Sequence, residues 1–434
     1  MKQNQTRRKF IAGAMSGVLT AAVAPMAFAE NQHHSKDEKP SIKQKQVLKG
    51  RVETSDFIIF PWGWMPETPT NGQWGDFNSM DDIMKDLYDC GFNTSGFTGS
   101  ENLKFIRKNN LHGILITNIN TAENLSQEKA NDRVQKLMSS ISEEDKKAIY
   151  AIYLRDEPSA ELFPALNTWS QAVKKAGLMP YINLLPDYAW PGDVMETKYQ
   201  EHLDNYVKTC NPSYISYDNY SLFDTGKLDE DRFYGNIESI RKKSLKTNIP
   251  FWNVILGNSH FHYIEPFGAS LAVQVYSTLA YGGKGIGYFT YYTPQVGNYR
   301  LAPIDRFGYR TSTWELMRNI NLQIHSLAQV YCKLKSINVF HVGKIPRNAQ
   351  GSETSKLVQS ITGDSLLVGE FEHPDGKPYV MVVNKSLHNS VNFDIQFKDK
   401  ADVILVSQFD QGSVPFTGEQ KWLAPGCGAL LTVK

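Results

Sequence analysis

Between residues 51 and 334, short apolar runs alternate with segments that have the spacing of amphipathic helices. The runs are rich in β-branched and aromatic side chains, which favours strands. The eight predicted strands are Phe57–Phe60, Thr94–Phe97, Gly113–Ile116, Ile149–Leu154, Pro180–Leu185, Tyr214–Tyr217, Phe251–Leu256 and Gly285–Tyr291. Because eight strand–helix units over about 280 residues match the count and length of a (β/α)8 barrel, we predict an α/β fold of this class.

Helix-like segments separate these runs. In the first, Met80–Tyr88, apolar residues such as Ile83 and Leu87 share one face. The other predicted helices are Asn102–Asn110, Asn131–Met138, Phe163–Ala176, Tyr199–Thr209, Asp231–Leu245, Ala269–Ala280 and Thr313–Leu334. A doubly wound sheet also alternates strands and helices, but no Gly-rich phosphate-binding loop follows the first predicted strand. The barrel is therefore the preferred interpretation.

The pattern changes after residue 334 to short alternating segments joined by polar turns. The predicted strands are Lys356–Ile361, Ser365–Glu370, Tyr379–Asn384, Val391–Phe397, Val403–Ser407 and Ala429–Val433. Short strands without helices are typical of a β-sandwich, which we predict over residues 335–434. Such a domain either supports the barrel or binds sugar, and Trp422 is its single tryptophan.

The first 29 residues have the order of an export signal. Arg7 and Arg8 precede the apolar stretch Ile11–Val23, and the small residues of Ala27–Ala29 follow. The arginine pair resembles a twin-arginine signal, although an ordinary secretory signal can carry the same pair. We expect cleavage after Ala29, export to the periplasm, cell surface or medium, and a disordered tether over residues 30–50.

Charge and composition exclude several classes of partner. The formal net charge of +1 gives no long-range attraction to polyanions, and the chain has no basic stripe, so we expect no nucleic-acid partner. No run after the signal approaches the roughly 20 apolar residues of a membrane span. The four cysteines lack metal-binding spacing and are either buried thiols or one disulfide. We expect no cofactor and no metal, and the sequence leaves the oligomeric state open.

The fourth predicted strand runs into an Arg-Asp-Glu-Pro corner at Arg155–Pro158. Glu157 therefore lies where a buried strand meets a loop. The carboxyl ends of the strands form the active-site rim of a (β/α)8 barrel, so an acid at this boundary is either catalytic or the partner of Arg155 in an ion pair. Asp156 comes one position earlier on the strand, and we expect it to point elsewhere and to orient neighbouring groups.

Polar and aromatic side chains follow the other predicted strands at the same edge. Carboxylates and amides hydrogen-bond hydroxyl groups, and aromatic rings pack on the apolar faces of sugars. This inventory predicts a carbohydrate-binding cleft, without a convincing metal cluster. The candidate substrate-binding residues are Trp62, Trp64, Asn183, Asp187, Tyr220, Asn253, His260, His262 and Tyr291.

Three segments resemble a known group of enzymes. Asp156-Glu157-Pro158 resembles the signature of clan A (β/α)8 glycoside hydrolases, whose acid/base glutamate ends strand four. Residues 214–220 and 279–294 resemble segments of secreted bacterial β-glycosidases of family 42 and related families. The resemblance spans residues 51–334, and a β-sandwich is a usual companion. It implies a carbohydrate substrate, with Glu157 protonating the glycosidic oxygen and, in a retaining enzyme, deprotonating the incoming water.

The chain departs from that group at the seventh predicted strand. Retaining members place a nucleophilic glutamate there, yet residues 251–260 contain no acid. Asp218, at the end of the sixth strand, and Glu265, in the loop beyond His260, are the two replacements, and Asp218 is preferred because a strand end holds a carboxylate more rigidly. Since strands four and six are not neighbours, we expect the separation of about 6.5 to 9.5 Å that inverting enzymes use.

Two other functions stay open at this point. The missing acid on the seventh strand also suits a non-catalytic carbohydrate-binding protein built on a decayed barrel. A metal-dependent enzyme is the other possibility, because His260, His262 and Glu265 supply two imidazoles and one carboxylate, a legitimate set of metal ligands.

Overall fold

The computed structural model describes residues 50–63, 74–189 and 195–434. Eight strands of this part form one parallel sheet in the order β1-β8-β7-β6-β5-β4-β3-β2. They are β1 Ile58–Trp62, β2 Thr94–Thr98, β3 His112–Leu115, β4 Ile149–Asp156, β5 Met179–Leu184, β6 Ile215–Asn219, β7 Phe251–Leu256 and β8 Gly285–Phe289. The predicted (β/α)8 barrel is confirmed, and each predicted strand overlaps an observed one.

Asn93, just before β2, links β2 to β1 and completes the ring. Its backbone N–H donates to the Ile59 carbonyl over 3.3 Å, and its side-chain oxygen accepts from the Ile59 N–H over 2.8 Å. Its side-chain amide also donates to the carbonyl of Phe57 over 2.8 Å. One buried asparagine therefore satisfies backbone groups at the seam where the strand ladder is interrupted.

Helices separate the strands as predicted. In the described residues they are α1 Met80–Asp89, α2 Leu103–Lys108, α3 Gln127–Ser139, α4 Glu143–Lys146, α5 Phe163–Lys175, α6 Met195–Cys210, α7 Glu230–Thr247, α8 Gly268–Ala280 and α9 Ser312–Tyr331. Helix α1 begins at Ser79, whose hydroxyl accepts from the Asp82 N–H, and α7 begins in the same way at Asp229. Helix α7 ends at Asn248 in the left-handed conformation.

Aromatic side chains fill the lower interior of the barrel. The rings of Tyr214 and Trp252 stack with centroids 3.6 Å apart and an angle of 8°. Tyr181 and Phe60 pack edge to face above them at 5.7 Å. Further along the same inward-facing positions the side chains become polar, beginning with Asn183 on β5. The aromatic layer therefore forms a rigid floor beneath the carboxyl edge of the strands.

A short antiparallel hairpin, Leu222–Phe223 and Lys227–Leu228, follows β6. The strands after residue 334 form the predicted β-sandwich, with a six-stranded antiparallel sheet in the order β9-β11-β12-β18-β15-β16 and the pairs β10–β14 and β13–β17. They are β9 Lys335–Val342, β10 Val358–Ile361, β11 Leu366–Glu372, β12 Pro378–Asn384, β13 Val391–Asn392, β14 Ile395–Phe397, β15 Val403–Val406, β16 Ser413–Pro415, β17 Trp422–Leu423 and β18 Gly428–Val433. The sequence patterns missed β9, β16 and β17, and the single strand predicted over Val391–Phe397 is divided in two.

Helix α8 packs between the barrel and the sandwich. It is buried from Ala269 to Ala280, because one side faces the barrel and the other faces β11, β12 and β18. At its end, a Cβ atom on Gly369 would collide with the Ala280 carbonyl oxygen, so only glycine permits the approach of β11. The barrel and sandwich belong to one compact unit.

Several sequence predictions fall on residues 1–49 and 64–73, outside the described residues: the export signal, the tether and Trp64. All four cysteines are described, and each is a free thiol, so the disulfide alternative is wrong. Among the helices described, none combines the length and apolar character needed to cross a bilayer.

Candidate active site

Glu157 follows the end of β4 and has an unusual backbone. Its φ angle is 43°, in the left-handed region that L residues other than glycine seldom adopt. Its N–H donates to the Asn183 carbonyl on β5 over 2.8 Å, which holds this conformation. The β4–β5 register also shifts between Tyr153 and Arg155. Strained residues of this kind cluster at functional sites, so the backbone supports the interpretation of Glu157 as more than an ion-pair partner.

The side chain of Asn183 connects two carboxylates at the centre of the barrel mouth. Its amide donates to Asp156 over 3.2 Å and to Asp218, on β6, over 3.1 Å. Its oxygen accepts from the Ser216 hydroxyl over 2.8 Å, and that hydroxyl lies 3.2 Å from the Tyr181 hydroxyl. Because the Asn183 oxygen is engaged by Ser216, its amide group is directed at the two acids.

Three acids, Asp156, Glu157 and Asp218, therefore share one small site, and their charges interact. Burial raises the pKa of Asp218 well above its ordinary value, and the negative charges of Glu157 and Asp156 and a side-chain hydrogen bond with Glu157 raise it further. Burial also raises the pKa of Asp156 to about 6, although the Asn183 amide opposes this shift. Because Asp218 is buried beside two other acids, full ionisation of the three groups is unfavourable.

Two expectations about these acids are wrong. Asp156 does not turn away from the site, since its carboxylate accepts from the same Asn183 amide that donates to Asp218. The register shift in β4 and the left-handed backbone at Glu157 accompany this break in the alternation of the strand. Glu157 and Asp218 are also not widely separated, since Glu157 is near enough to raise the pKa of Asp218. Inward-facing residues of alternate barrel strands lie in the same layer, so β4 and β6 face each other although β5 lies between them in the sheet.

Asp187, predicted to bind substrate, is instead buried in an ion pair. It is 2% exposed and accepts a 2.9 Å hydrogen bond from Arg347, which lies between β9 and β10 of the sandwich. Burial raises the Asp187 pKa to about 6, while the positive charges of Arg347 and Arg232 lower it. The sandwich thus supplies a residue to the loop after β5. No local pattern could have linked two positions 160 residues apart.

Tyr188, the next residue, was also missed by the sequence interpretation. Its hydroxyl accepts from the backbone N–H of Tyr220 over 2.9 Å, and the guanidinium of Arg232 lies over its ring at 3.3 Å. Tyr220 follows β6 beside the acids, and burial followed by the charge of Asp218 raises the pKa of its hydroxyl. The sequence signal that could have identified Tyr188 was its position directly after Asp187, a residue predicted to lie at the rim.

An aromatic cavity of about 350 Å³ opens at the ends of β1 and β8. Trp62, at the end of β1, contacts Phe97 at 5.1 Å and Phe289 at 5.4 Å between ring centroids. Phe289 in turn lies 5.5 Å from Tyr220, which links the cavity to the acids. The aromatic residues along its wall include Trp62, Trp74, Phe289, Tyr292 and Tyr299. This lining offers flat apolar faces, and the contact of Phe289 with Tyr220 connects them to the acids.

His260 is held at the edge of this cavity with a defined tautomer. Asn258 donates from its amide to the Thr290 hydroxyl over 2.7 Å, so its oxygen is free to accept from His260 Nδ1 over 2.9 Å. Burial lowers the pKa of His260 to about 4, which keeps the ring neutral at pH 7. With the proton on Nδ1, Nε2 is a hydrogen-bond acceptor. The ring stacks on Tyr299 at 4.8 Å and 1°.

Asn253 and Tyr291, both predicted to bind substrate, have side-chain partners outside the barrel interior. The Asn253 amide donates to Thr278 of α8 over 2.8 Å. The Tyr291 hydroxyl donates to Asp86 of α1 and accepts from Trp314 of α9 over 2.9 Å. Asn253 occupies an outward-facing position of β7, and Tyr291 lies past the end of β8, where its polar tip turns toward the helices. Both polar tips are therefore engaged by the surrounding helices.

The loop residues His262 and Glu265 lie apart from the acids. His262 is exposed and stacks on Phe223 at 5.4 Å, and Glu265 forms an exposed ion pair with Arg300 at 2.6 Å. Glu265 is therefore not the second acid of the cluster. Throughout the described ranges, no three His, Cys, Asp or Glu side chains come together as a metal-binding group, so the set of His260, His262 and Glu265 is not assembled.

No protein-family model matches the sequence, and no curated protein matches it. Among solved structures, the fold is similar to a β-galactosidase from the psychrophilic Marinomonas ef1, with 9% identity, a TM-score of 0.48, and coverage of 65% of this chain and 62% of that chain. It is also similar to AbfB, a family 51 α-L-arabinofuranosidase from Bifidobacterium longum, with 10% identity, a TM-score of 0.46, and coverage of 89% and 97%. This chain thus spans less than two thirds of the β-galactosidase. These likenesses concern the fold and assign no activity.

Proposed function

We propose that this protein is a glycoside hydrolase with Glu157 and Asp218 as its catalytic pair. The observation that carries the proposal is the gathering of Asp156, Glu157 and Asp218 around Asn183 at the carboxyl edge of the barrel. Glycoside hydrolysis needs one carboxyl group to protonate the leaving oxygen and a second to act on the other side of the sugar ring. The aromatic cavity at the ends of β1 and β8, connected to the acids through Phe289 and Tyr220, supports a sugar substrate.

We assign the acid/base role to Glu157. Its side chain is exposed at the rim, where a leaving group departs and water enters, whereas Asp218 is buried. Protonated Glu157 gives its proton to the glycosidic oxygen as the bond to the anomeric carbon breaks and the Asp218 carboxylate bonds to that carbon. Water, deprotonated by Glu157, then displaces Asp218 and leaves a hydroxyl group on the anomeric carbon. The Asn183 amide stabilises the negative charge of Asp218 before and after these steps.

Two substitutions and two leaving groups test these roles. Glu157→Gln should lower hydrolysis of unactivated glycosides by about 10²- to 10⁴-fold, yet spare cleavage of dinitrophenyl glycosides, whose leaving group needs no proton. Asp218→Asn should lower both. Glu161→Gln, at an exposed glutamate four residues further on, is the matched control. Full activity of Glu157→Gln on unactivated glycosides would falsify the assignment.

The configuration of the first product distinguishes retention from inversion. We expect retention, whose carboxyl groups are about 5 to 5.5 Å apart, rather than the wider inverting arrangement, because Glu157 is near enough to Asp218 to raise its pKa. Proton NMR of a reaction started with fresh enzyme measures the anomer directly. If the wild-type protein binds glycans but releases no reducing ends at any pH, the carbohydrate-binding alternative replaces the hydrolase.

We also propose that the protein is exported, on the strength of the basic, apolar and small-residue regions of residues 1–29. Cell fractionation followed by amino-terminal sequencing tests this proposal, with a mature chain that begins at Glu30 expected. Replacing Arg7 and Arg8 by lysine tests the route, because it should block export only by the twin-arginine pathway. A full-length chain confined to the cytoplasm would contradict export.

A further inference from the structure

Phe261, in the loop after β7, exposes a large aromatic ring from a strained backbone. The residue is 65% exposed, and its φ angle is 48°. Both features cost free energy. The exposed ring leaves apolar surface in contact with water, and the left-handed backbone conformation is strained for an L residue. A residue that combines these two costs is a candidate for a functional role.

Contacts with the loop after β8 hold this backbone in place. The Phe261 N–H donates to the Asn298 side-chain oxygen over 2.7 Å, and the Asn298 amide donates back to the Phe261 carbonyl over 2.7 Å. Ser259 and Arg300 exchange backbone hydrogen bonds of 3.0 and 2.9 Å. The ion pair between Glu265 and Arg300 adds a third link. The exposure of Phe261 therefore results from a braced loop pair.

The exposed ring continues the wall of the aromatic cavity. Phe261 lies 5.1 Å from His260 and 6.1 Å from Tyr299 between ring centroids, and Tyr299 lines the cavity. His260 is 6.0 Å from Tyr220, which stands beside the acids. The ring of His260 thus lies between Phe261 and Tyr220, the residue beside the acids. We call Phe261, Tyr299 and His260 the aromatic shelf.

We propose that the aromatic shelf binds a further sugar unit of a glycan chain, so that the enzyme acts on oligo- or polysaccharides rather than on disaccharides alone. This inference rests on the proposed glycosidase function. The shelf offers flat apolar faces, and His260 is neutral with an acceptor at Nε2. Arg300 beside it is neutralised by Glu265. An uncharged ring with one apolar face and several hydroxyl groups suits this surface.

The shelf predicts a dependence of catalysis on chain length. Removal of the Phe261 ring should lower kcat/KM about three- to tenfold for chains long enough to reach it, and leave the shortest cleaved substrate unchanged. We would use Phe261→Asn, because asparagine tolerates the left-handed backbone and keeps the loop intact. Phe261→Tyr retains the ring and should behave as the wild type.

The experiment compares gluco-, manno- and arabino-oligosaccharides of two to six units on the full chain. Phe409→Ala is the matched control, since Phe409 is 63% exposed in the sandwich region, away from the cleft. A loss in Phe261→Asn confined to longer chains supports the shelf. An equal loss of kcat/KM at all chain lengths, or no loss at any length, overturns the proposal. A change from dimer to monomer with unchanged kinetics also overturns it, because Phe261 would then be a contact between two copies of the chain.

Failure of the proposed function is distinguished by measuring binding as well as cleavage. If the wild type cleaves no oligosaccharide of the panel, titration calorimetry with the same chains still reports on the shelf. Affinity that rises with length and falls in Phe261→Asn supports the sugar site while the hydrolase proposal fails. Affinity that is absent, or unaffected by the substitution, overturns the shelf.

Discussion

The side-chain amide of Asn183 donates a 3.1 Å hydrogen bond to Asp218 and directs its second N–H at Asp156. Both bonds favour the ionised acids and so lower the pKa of each. Burial alone would leave the two groups more strongly protonated. The neutral amide thereby adjusts the charge of the acid cluster without adding a charge of its own.

Asn183→Ala should therefore shift the acidic limb of the pH profile of kcat/KM to higher pH. A hydrogen bond to a charged group contributes about 1.5 to 3 kcal/mol, which corresponds to a shift of about one to two pH units. Initial rates from pH 4 to 8 measure the limb. Asn253→Ala is the control, because that buried asparagine faces α8. An unmoved limb in Asn183→Ala would show that the amide does not tune these acids.

Arg347→Ala should destabilise the protein most strongly at neutral pH. It leaves the buried Asp187 carboxylate without its cation, at a cost of about 1 to 3 kcal/mol, below that of a fully buried pair because Arg347 is 35% exposed. Burial raises the folded pKa of Asp187 to about 6, above its unfolded value, so ionisation opposes folding as the pH rises from about 4 to 6. Without Arg347 this pKa rises further.

Urea unfolding at pH 4.5 and pH 7.5 measures that effect. The loss of stability in Arg347→Ala should shrink at the lower pH, where Asp187 is protonated and needs no cation. Adding Asp187→Asn should restore part of the lost stability at pH 7.5. A loss that is equal at both pH values and is not relieved by Asp187→Asn would indicate packing rather than charge as the contribution of Arg347.

Glu370, on β11, should make the sandwich sensitive to acid. The carboxylate is 0% exposed and accepts hydrogen bonds from Ser355, Asn338 and the backbone of residues 356–358. Burial acts to raise the Glu370 pKa, but these hydrogen bonds outweigh it and lower the pKa overall. The stabilisation is therefore present above the unfolded pKa of about 4.3 and is lost as the pH falls through the folded value.

Glu370→Gln should lower the free energy of unfolding at pH 7 by about 1 to 3 kcal/mol, because it removes a charged acceptor and opposes the N–H donors with its own amide. It should also flatten the dependence of that free energy on pH below about 5. Glu372→Gln, at an exposed position of the same strand, is the control. Acid unfolding followed by circular dichroism compares the three proteins, and an unchanged acid midpoint in Glu370→Gln would exclude the proposed role.

Local patterns predicted the candidate site only in part. The end of β4 and the end of β6 were identified from their apolar runs, so Glu157 and Asp218 were both found. Asp156 was misjudged because strict alternation fails where β4 shifts register. Asn253 was misjudged because its place in β7 alone did not reveal whether it faces the interior or α8. A strand that is buried on both faces does not alternate between polar and apolar residues, so its sequence does not show which residues face the barrel interior.

The sequence by itself determined the barrel, the sandwich that follows it, and the strand ends that carry the acids, because periodicity and strand–helix alternation are local properties. Tertiary structure decided which acids come together and which residues pair with them. Glu157 and Asp218 interact because alternate strands share a layer inside the barrel. Arg347 reaches Asp187 because the sandwich packs against the barrel, a contact across 160 residues that chain folding alone creates.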